Sequence, residues 1–252
     1  MNLTPAAQAN HEQLFPGHES RLAVTDPEFV ELFDNFAFDE VLAQGRLTQR
    51  LRMMVILAAL IAQNAVAEYR AMLGAALTVG VTPVEAKEIL YQSVPYVGQG
   101  RAFDFLHATN DVLVTRGVEL PLPGQSTTTR QTRHQAGLAL RQALFGVDPT
   151  DPADPAAVPP GQRHLQEWLS ANCFGDYYTR AGLDLPTREL LTFAMLVTLG
   201  GCEPQVRGHI RGNLTVGNDL ATMLDVVSQL LPWIGYPRSL NAVAALNEAA
   251  PE

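Results

Sequence analysis

The strongest constraint on this chain is an internal repeat. Leu77-Thr78-Val79-Gly80 returns 137 residues later as Leu214-Thr215-Val216-Gly217, and no gap is needed between positions 68 and 104. Self-similarity at one fixed spacing is typical of a duplicated structural unit. The chain is therefore predicted to contain two copies of one fold. The same offset aligns Arg70 with Arg207, Gln92 with Gln229, Pro95 with Pro232, Gly98 with Gly235, Arg101 with Arg238 and Asn110 with Asn247.

Upstream of these matches the spacing is expected to change. Phe36 aligns with Phe174 and Arg50 with Arg188 at an offset of 138, which predicts a slip of one residue between two helices.

Both units are predicted to be all-α, since no segment alternates apolar and polar residues as a strand does. Residues 50–63 and 188–199 are apolar nearly all round, which is typical of fully buried helices. Residues 69–79 and 206–216 are amphipathic, and each ends at a glycine, the residue that commonly follows a helix C-terminus. Thr82 and Asp219 are predicted N-caps of the next helices.

The domain organisation follows from these patterns and from composition. Residues 1–122 form the first predicted unit and residues 131–252 the second. Residues 123–130, rich in Gly, Ser and Thr, are a predicted linker. A short helix is expected over 133–145, and residues 148–160, rich in Pro, Asp and Ala, are predicted to form an extended loop.

Composition and charge exclude several classes of function. With 47% hydrophobic and 17% charged residues, the chain is expected to be globular. A net charge of −9 argues against a nucleic-acid partner, which would need clustered Lys and Arg. No apolar run is long enough to span a membrane, and no secretory signal is visible at the N-terminus. Two cysteines do not make a disulfide framework, so a cytoplasmic location is expected.

The most informative stretch for chemistry runs from Cys202 to His209. Residues 202, 205 and 209 would share one face of a helix, which would place a thiol, the Gln205 amide and an imidazole together. An imidazole that close can accept the thiol proton or stabilise the thiolate. The alternative is a small buried cysteine beside a histidine that is satisfied by the core. The equivalent first-unit residues are Ala65, Glu68 and Met72, so only the second unit can perform this chemistry.

Other residues of the second unit are candidates for the same site. Glu189 is either a proton-relay carboxylate or a favourable charge at a helix N-terminus. Arg188 and Arg238 are candidate ligands of a substrate carboxylate, although Arg238, like Arg101, equally fits a structural role. Trp233 is a candidate substrate contact. The other histidines have no metal-ligand spacing, and no phosphate loop is present, so neither a metal nor a cofactor is predicted.

These residues resemble the carboxymuconolactone decarboxylase family. The resemblance covers the second unit well, through Gly137-x-x-x-Arg141, Phe145-Gly146, Phe174-Gly175-Asp176, Arg180-x-Gly182-Leu183, Thr187-Arg188-Glu189, His209-x-x-Gly212, Gly217 and Gln229-x-x-Pro232-x-x-Gly235-x-Pro237-Arg238. It covers the first unit more weakly, through Gly80-Val81-Thr82-Pro83, Glu88, Tyr96-Val97-Gly98 and Arg101.

The resemblance implies an all-helical fold, assembly into a homo-oligomer such as a trimer of tandem units, and one of two activities. The decarboxylase branch acts on a small carboxylated lactone without a cofactor, and His209 would be its general acid/base. The alkylhydroperoxidase branch uses Cys-x-x-Cys-x-x-x-His, which matches Cys202 and His209 but has Gln205 at the second cysteine. That branch also has a Glu twelve residues before the first Cys, where this chain has Leu190 and carries Glu189 one step away.

We expect a decarboxylase-like enzyme, with a thiol peroxidase as the second reading. The peroxidase reading would need Cys173 or an external thiol to resolve a sulfenic acid at Cys202. A third reading is a non-catalytic scaffold of the same fold.

Overall fold

The computed structural model describes residues 2–146 and 158–249, and its regular structure in these ranges is helical. The predicted all-α class is confirmed. An extended loop is predicted over 148–160, and its residues 148–157 lie outside the described residues. Two π-helical segments, Phe36–Glu40 and Leu169–Tyr178, precede the repeated helices. The α-helices are α1 Pro5–Leu14, α2 Leu22–Thr25, α3 Pro27–Asn35, α4 Val41–Gln44, α5 Gln49–Gln63, α6 Val66–Thr78, α7 Pro83–Val97, α8 Gln99–Thr115, α9 Arg133–Phe145, α10 Arg163–Trp168, α11 Leu185–Leu199, α12 Glu203–Thr215, α13 Leu220–Ile234 and α14 Tyr236–Ala249.

The duplication is visible in the helix lengths. Helices α5 and α11 both have 15 residues, α6 and α12 both have 13, and α7 and α13 both have 15. From α6 onward the two sets begin 137 residues apart, as the sequence repeat predicts.

A slip of one residue between helices is present, but it shortens the upstream offset from 137 and does not lengthen it to the predicted 138. Helix α5 begins at Gln49 and α11 at Leu185, an offset of 136, because the second unit has one additional residue in the Gly200-Gly201 turn where the first has Asn64. The pairing of Arg50 with Arg188 is therefore wrong, and Arg52 is the true counterpart. The contacts agree: Arg52 Nε donates to Gln229 Oε1 at 2.8 Å, and Arg188 Nη1 donates to Gln92 Oε1 at 2.9 Å.

The same offset corrects the second upstream match. It pairs Phe174 with Phe38 and not with Phe36, and both Phe38 and Phe174 are buried beneath an arginine guanidinium.

Helix ends follow the predicted caps. The Thr82 hydroxyl accepts from the Glu85 backbone N–H while the Glu85 carboxylate accepts from the Thr82 N–H, a capping box. Asp219 caps α13 by accepting from Thr222 N–H at 2.7 Å. Gly80 and Gly217 follow α6 and α12 with φ of +91° and +92°, a conformation that costs a residue with a Cβ much more than glycine.

The two units share one hydrophobic core. Helices α5 and α11 pack against each other, and 11 of the 15 residues in each are buried, which explains why each is apolar nearly all round. The largest buried cluster draws on helices of both units. None of the helices in the described ranges is long and apolar enough to cross a lipid bilayer.

The predicted linker has no regular secondary structure over residues 122–129, and its side chains form hydrogen bonds with the second unit. The hydroxyls of Thr127 and Thr128 donate to the carbonyls of Thr179 and Gly175, at 2.7 and 2.8 Å.

A buried ion cluster also joins the units. The Glu88 carboxylate of α7, 1% exposed, accepts hydrogen bonds from Arg188 Nη2 at 2.9 Å and from Arg180 Nε and Nη2 at 2.9–3.0 Å. Arg188 Nη2 also donates to the carbonyls of Arg180 and Ala181. Because one buried carboxylate faces two guanidinium groups, removing its charge leaves both without a counterion.

We therefore expect Glu88→Gln to lower the free energy of unfolding by about 3 kcal/mol, as loss of one partner of a buried ion pair does. Urea denaturation followed by circular dichroism measures this loss. Glu248→Gln is the matched control, because it breaks the exposed Arg207–Glu248 pair, and it should leave the midpoint unchanged. Equal effects of the two substitutions would contradict the role of the cluster.

Candidate functional site

The site is built around a buried histidine and carboxylate from adjacent helices of the second unit. His209 lies on the inner face of α12 and is 8% exposed, and Glu189 lies near the start of α11 and is fully buried. His209 Nδ1 lies 2.9 Å from Glu189 Oε2. When Glu189 is ionised, Nδ1 carries the hydrogen, so that Nε2 holds the lone pair of the neutral ring.

Steric crowding explains why position 212 of the His209-x-x-Gly212 motif is a glycine. A Cβ at Gly212 would lie 2.5 Å from Glu189 Oε2 and 2.9 Å from the Phe145 ring, closer than atoms can pack. Asn213, on the next position of α12, donates to the backbone carbonyls of Glu189 and His209 at 3.1 and 2.7 Å. The sequence around His209 therefore allows α12 to approach the carboxylate and then fixes it there.

A directed chain of hydrogen bonds reaches Glu189 from the first unit. The Tyr178 hydroxyl donates to Glu189 Oε1 at 2.7 Å, since an ionised carboxylate only accepts. The Tyr178 oxygen must then accept from Thr192 Oγ1, 2.6 Å away. Gln92 Nε2 donates to that Thr192 oxygen at 2.9 Å. Each donor in the chain is thus oriented by the next acceptor, ending at the carboxylate.

Arg188 anchors the far end of this chain. Its Nη1 donates to Gln92 Oε1, which requires the Gln92 amide to present its NH₂ to Thr192. With Nη2 bound to Glu88 and 1% of its side chain exposed, Arg188 is held inside the protein and is not presented to a substrate carboxylate. The structure places this predicted substrate ligand behind the site, as a residue that orients Gln92.

Two aromatic rings pack on the imidazole. Tyr96 of α7 and Phe145 of α9 meet the His209 ring edge-on, with centroids 5.9 and 5.4 Å away. Burial raises the pKa of Tyr96 and Tyr178 well above their ordinary value of 10, so both phenols remain neutral donors. Tyr96 belongs to the first unit, so the site is completed across the unit boundary.

Cys202 is not brought to this cluster. Helix α12 begins at Glu203, and Cys202 is its N-cap with φ −133° and ψ 40°, so the predicted helical face shared by residues 202, 205 and 209 does not include the thiol. Cys202 Sγ instead donates to Leu196 O at 3.3 Å. Burial, then the adjacent Glu203 charge, raises the pKa of Cys202 above its ordinary value of 9.

Cys173 lies beside Tyr96, whose ring packs on His209: the Cys173 Sγ donates to the Tyr96 hydroxyl at 4.0 Å. Burial raises the pKa of Cys173 to about 12. Both cysteines are free thiols with different neighbours.

The other predicted residues make no hydrogen bond with His209 or Glu189 that the structure records. Gln205 is exposed, and so is Arg238. Arg238 and Cys202 line a cavity of about 30 Å³, which has room for a water molecule but not for a lactone. Trp233 lies at the corresponding place in the first unit, against Phe33 with ring centroids 5.3 Å apart.

Four residues of the hydrogen-bonded site were missed by sequence reasoning: Gln92, Tyr96, Tyr178 and Thr192. Gln92 and Tyr96 lie in the other unit, and no sequence pattern reports contacts across the boundary. One signal was available, because Tyr96 and Trp233 occupy the same repeat position and Gln92 repeats as Gln229.

The first unit keeps the Arg–Gln contact, as Arg52 with Gln229, but lacks the residues that carry the acid/base pair. With the corrected register, Met53 corresponds to Glu189, Ile56 to Thr192 and Met72 to His209, and all three are buried. The part of the chain that the structure describes also contains no group of three His, Cys, Asp or Glu side chains arranged to hold a metal ion.

Comparisons with known proteins agree with this architecture. The model of the carboxymuconolactone decarboxylase family matches residues 27–111 and 163–248, once in each unit. A crystal structure from Burkholderia xenovorans LB400, described as a candidate gamma-carboxymuconolactone decarboxylase subunit, superposes with a TM-score of 0.54 at 19% identity and covers 97% of both chains. A search of curated proteins found no match. This chain belongs to the carboxymuconolactone decarboxylase family and carries two copies of its unit.

Proposed function

We propose that this protein is a decarboxylase-like enzyme that acts on a small carboxylated, lactone-like or enolisable substrate, without a cofactor, through His209 and Glu189. The observation that carries the proposal is the buried His209–Glu189 pair at 2.9 Å, oriented on its far side by Tyr178. A histidine held by a buried carboxylate is a recurrent general acid/base arrangement.

The proposed step is proton transfer to a carbanion. The bond between the substrate carbon and its carboxylate breaks, CO₂ leaves, and the electron pair passes into the conjugated carbonyl as an enolate. Protonated His209 then donates its Nε2 hydrogen to the carbon and becomes neutral, retaining its Nδ1 hydrogen toward Glu189. A proton from water restores the imidazolium. Proton transfer from a positioned group contributes on the order of 10²- to 10⁴-fold in rate.

Electrostatics favour this role. Glu189 is fully buried and its Oε2 lies 2.9 Å from His209 Nδ1, so a charge on this carboxylate acts on the ring with little screening by water. Tyr178 and Asn213 hold the carboxylate and the helix that carries the imidazole. Little reorganisation is therefore needed when the proton moves, which is the condition for effective electrostatic catalysis.

The thiol peroxidase reading is less well supported. A peroxidatic cysteine reacts as the thiolate, and both thiols have a raised pKa. Gln205 occupies the position of a resolving cysteine, and Cys202 shares its cavity with Arg238 and not with His209. The scaffold reading would fit a histidine bonded only to backbone, whereas His209 Nδ1 pairs with a side-chain carboxylate.

Turnover of gamma-carboxymuconolactone, followed by CO₂ release, tests the proposal. His209→Gln keeps a donor toward Glu189 but has no ring nitrogen to cycle a proton, so kcat should fall by about 10²- to 10⁴-fold. Glu189→Gln should also lower kcat, because it removes the carboxylate that pairs with His209 Nδ1.

Cys202→Ser is the matched control and should retain turnover, with circular dichroism confirming the fold of each variant. Absence of wild-type turnover, retention of turnover in His209→Gln, or its loss in Cys202→Ser would each contradict the assignment.

Alkylation with iodoacetamide as a function of pH tests the thiol alternative separately. Because the pKa of Cys202 is raised above 9 and that of Cys173 is about 12, the rate should keep rising beyond pH 9 with no plateau near neutrality. Cys173→Ser isolates the Cys202 profile. A plateau near pH 7 would show an activated thiolate and favour the peroxidase reading.

A further inference from the structure

The first unit contains a cavity of about 490 Å³ at the place that corresponds to the His209 site. The repeat register identifies it: Ala65, Glu68 and Met72 line it and are the counterparts of Cys202, Gln205 and His209, and Trp233 lines it as the counterpart of Tyr96. Its volume lies within the range of small-molecule sites. The first unit therefore has an open cavity at the place where the second unit has its acid/base residues.

The walls of this cavity are strongly aromatic. The Phe33 ring meets Trp233 edge-on at 5.3 Å and Phe38 at 6.1 Å, while Phe29 stacks on Phe33 at 6.2 Å. Phe15, which follows α1 and lies 6.3 Å from Phe38, extends the wall. Trp233 comes from the second unit, so both units contribute. Such a surface presents ring edges to an aromatic guest and ring faces to a cation.

Two carboxylates and two histidines are the ionisable groups that line the cavity. Asp34 and Glu68 are both there, and none of the described residues that line it is Lys or Arg. His11 and His18 also line it. Burial raises the pKa of Asp34 and of Glu68, while the charge of the neighbouring His11 lowers that of Asp34. Two carboxylates at one cavity attract a positive group and repel a negative one.

We propose that this cavity is a binding site for a small aromatic organic cation, such as a protonated arylalkylamine, whose ring packs among the phenylalanines and Trp233 and whose ammonium group faces Asp34 and Glu68. The cavity is distinct from the His209 site, and its charge excludes the carboxylated substrates proposed for the second unit. The two copies of the fold thereby bind ligands of opposite charge.

Intrinsic fluorescence gives a direct test, because the chain has two tryptophans and the other, Trp168, is 61% exposed. In Trp168→Phe protein the signal comes from Trp233 alone. The probes are 2-phenylethylammonium, 2-phenylethanol and 3-phenylpropionate, which share a phenethyl body and differ in charge. We expect saturable changes for the cation, with an affinity about tenfold or more above that for the alcohol, and weaker binding still for the carboxylate.

Glu68→Gln should bring the affinity of the cation close to that of the alcohol while leaving the affinity of the alcohol unchanged. Glu68 is exposed on α6, so this change is compatible with folding, and Asp34→Asn provides an independent variant. Glu203→Gln, which removes the same charge from the second unit, is the control and should have no effect.

Absence of saturable binding for all three probes, equal affinities, or a preference for the carboxylate would overturn the proposal. Because fluorescence requires no turnover, the result stands apart from the test of decarboxylation.

Discussion

The buried charge of Glu189 is the constraint on which the rest of the second unit depends. An ionised carboxylate with no exposed surface is strongly destabilising unless it is paired and hydrogen-bonded. Here it receives His209 from α12 and Tyr178 from the π-helical segment, and Gly212 allows α12 to approach. Tyr178 is in turn oriented by Thr192, Gln92 and Arg188, so the position of one carboxylate fixes the packing of both units around it.

The two units have the same arrangement of helices but differ in the side chains at the site. Helices α5 and α11 remain the buried centre, and the Arg–Gln contact across the boundary is present twice, as Arg52 with Gln229 and Arg188 with Gln92. In the first unit, the positions of Glu189, Thr192 and His209 are occupied by the buried residues Met53, Ile56 and Met72. Helix α7 contributes Tyr96 to the second unit and helix α13 contributes Trp233 to the first. Neither site is therefore complete within a single copy. A tandem chain can therefore alter one site while it retains the contacts that support the other.

Much of this was predictable from the residues. Helical periodicity, caps at Thr82 and Asp219, and the 137-residue repeat gave the fold class and most helix boundaries, since each depends on local sequence. His209 and Glu189 were found as candidates because their residue types are informative. The register upstream of the repeat was wrong because one glycine in the Gly200-Gly201 turn leaves no hydrophobic pattern. The helical face predicted for residues 202, 205 and 209 does not include Cys202, because α12 begins at Glu203 and Cys202 is its N-cap. Tyr96 and Gln92 were missed because contacts between units carry no periodic signal.

We infer that the hydrogen-bond chain holds His209 with its hydrogen on Nδ1, directed at Glu189. Nitrogen-15 NMR of protein labelled in histidine measures this directly, with the His209→Gln variant assigning the resonance among the six histidines. We expect neutral His209 to be the Nδ1–H tautomer with a slowly exchanging ring hydrogen, and we expect Thr192→Val, which removes the hydroxyl that donates to Tyr178, to speed that exchange. An Nε2–H tautomer, or a ring hydrogen that exchanges as fast as in an exposed histidine, would contradict it.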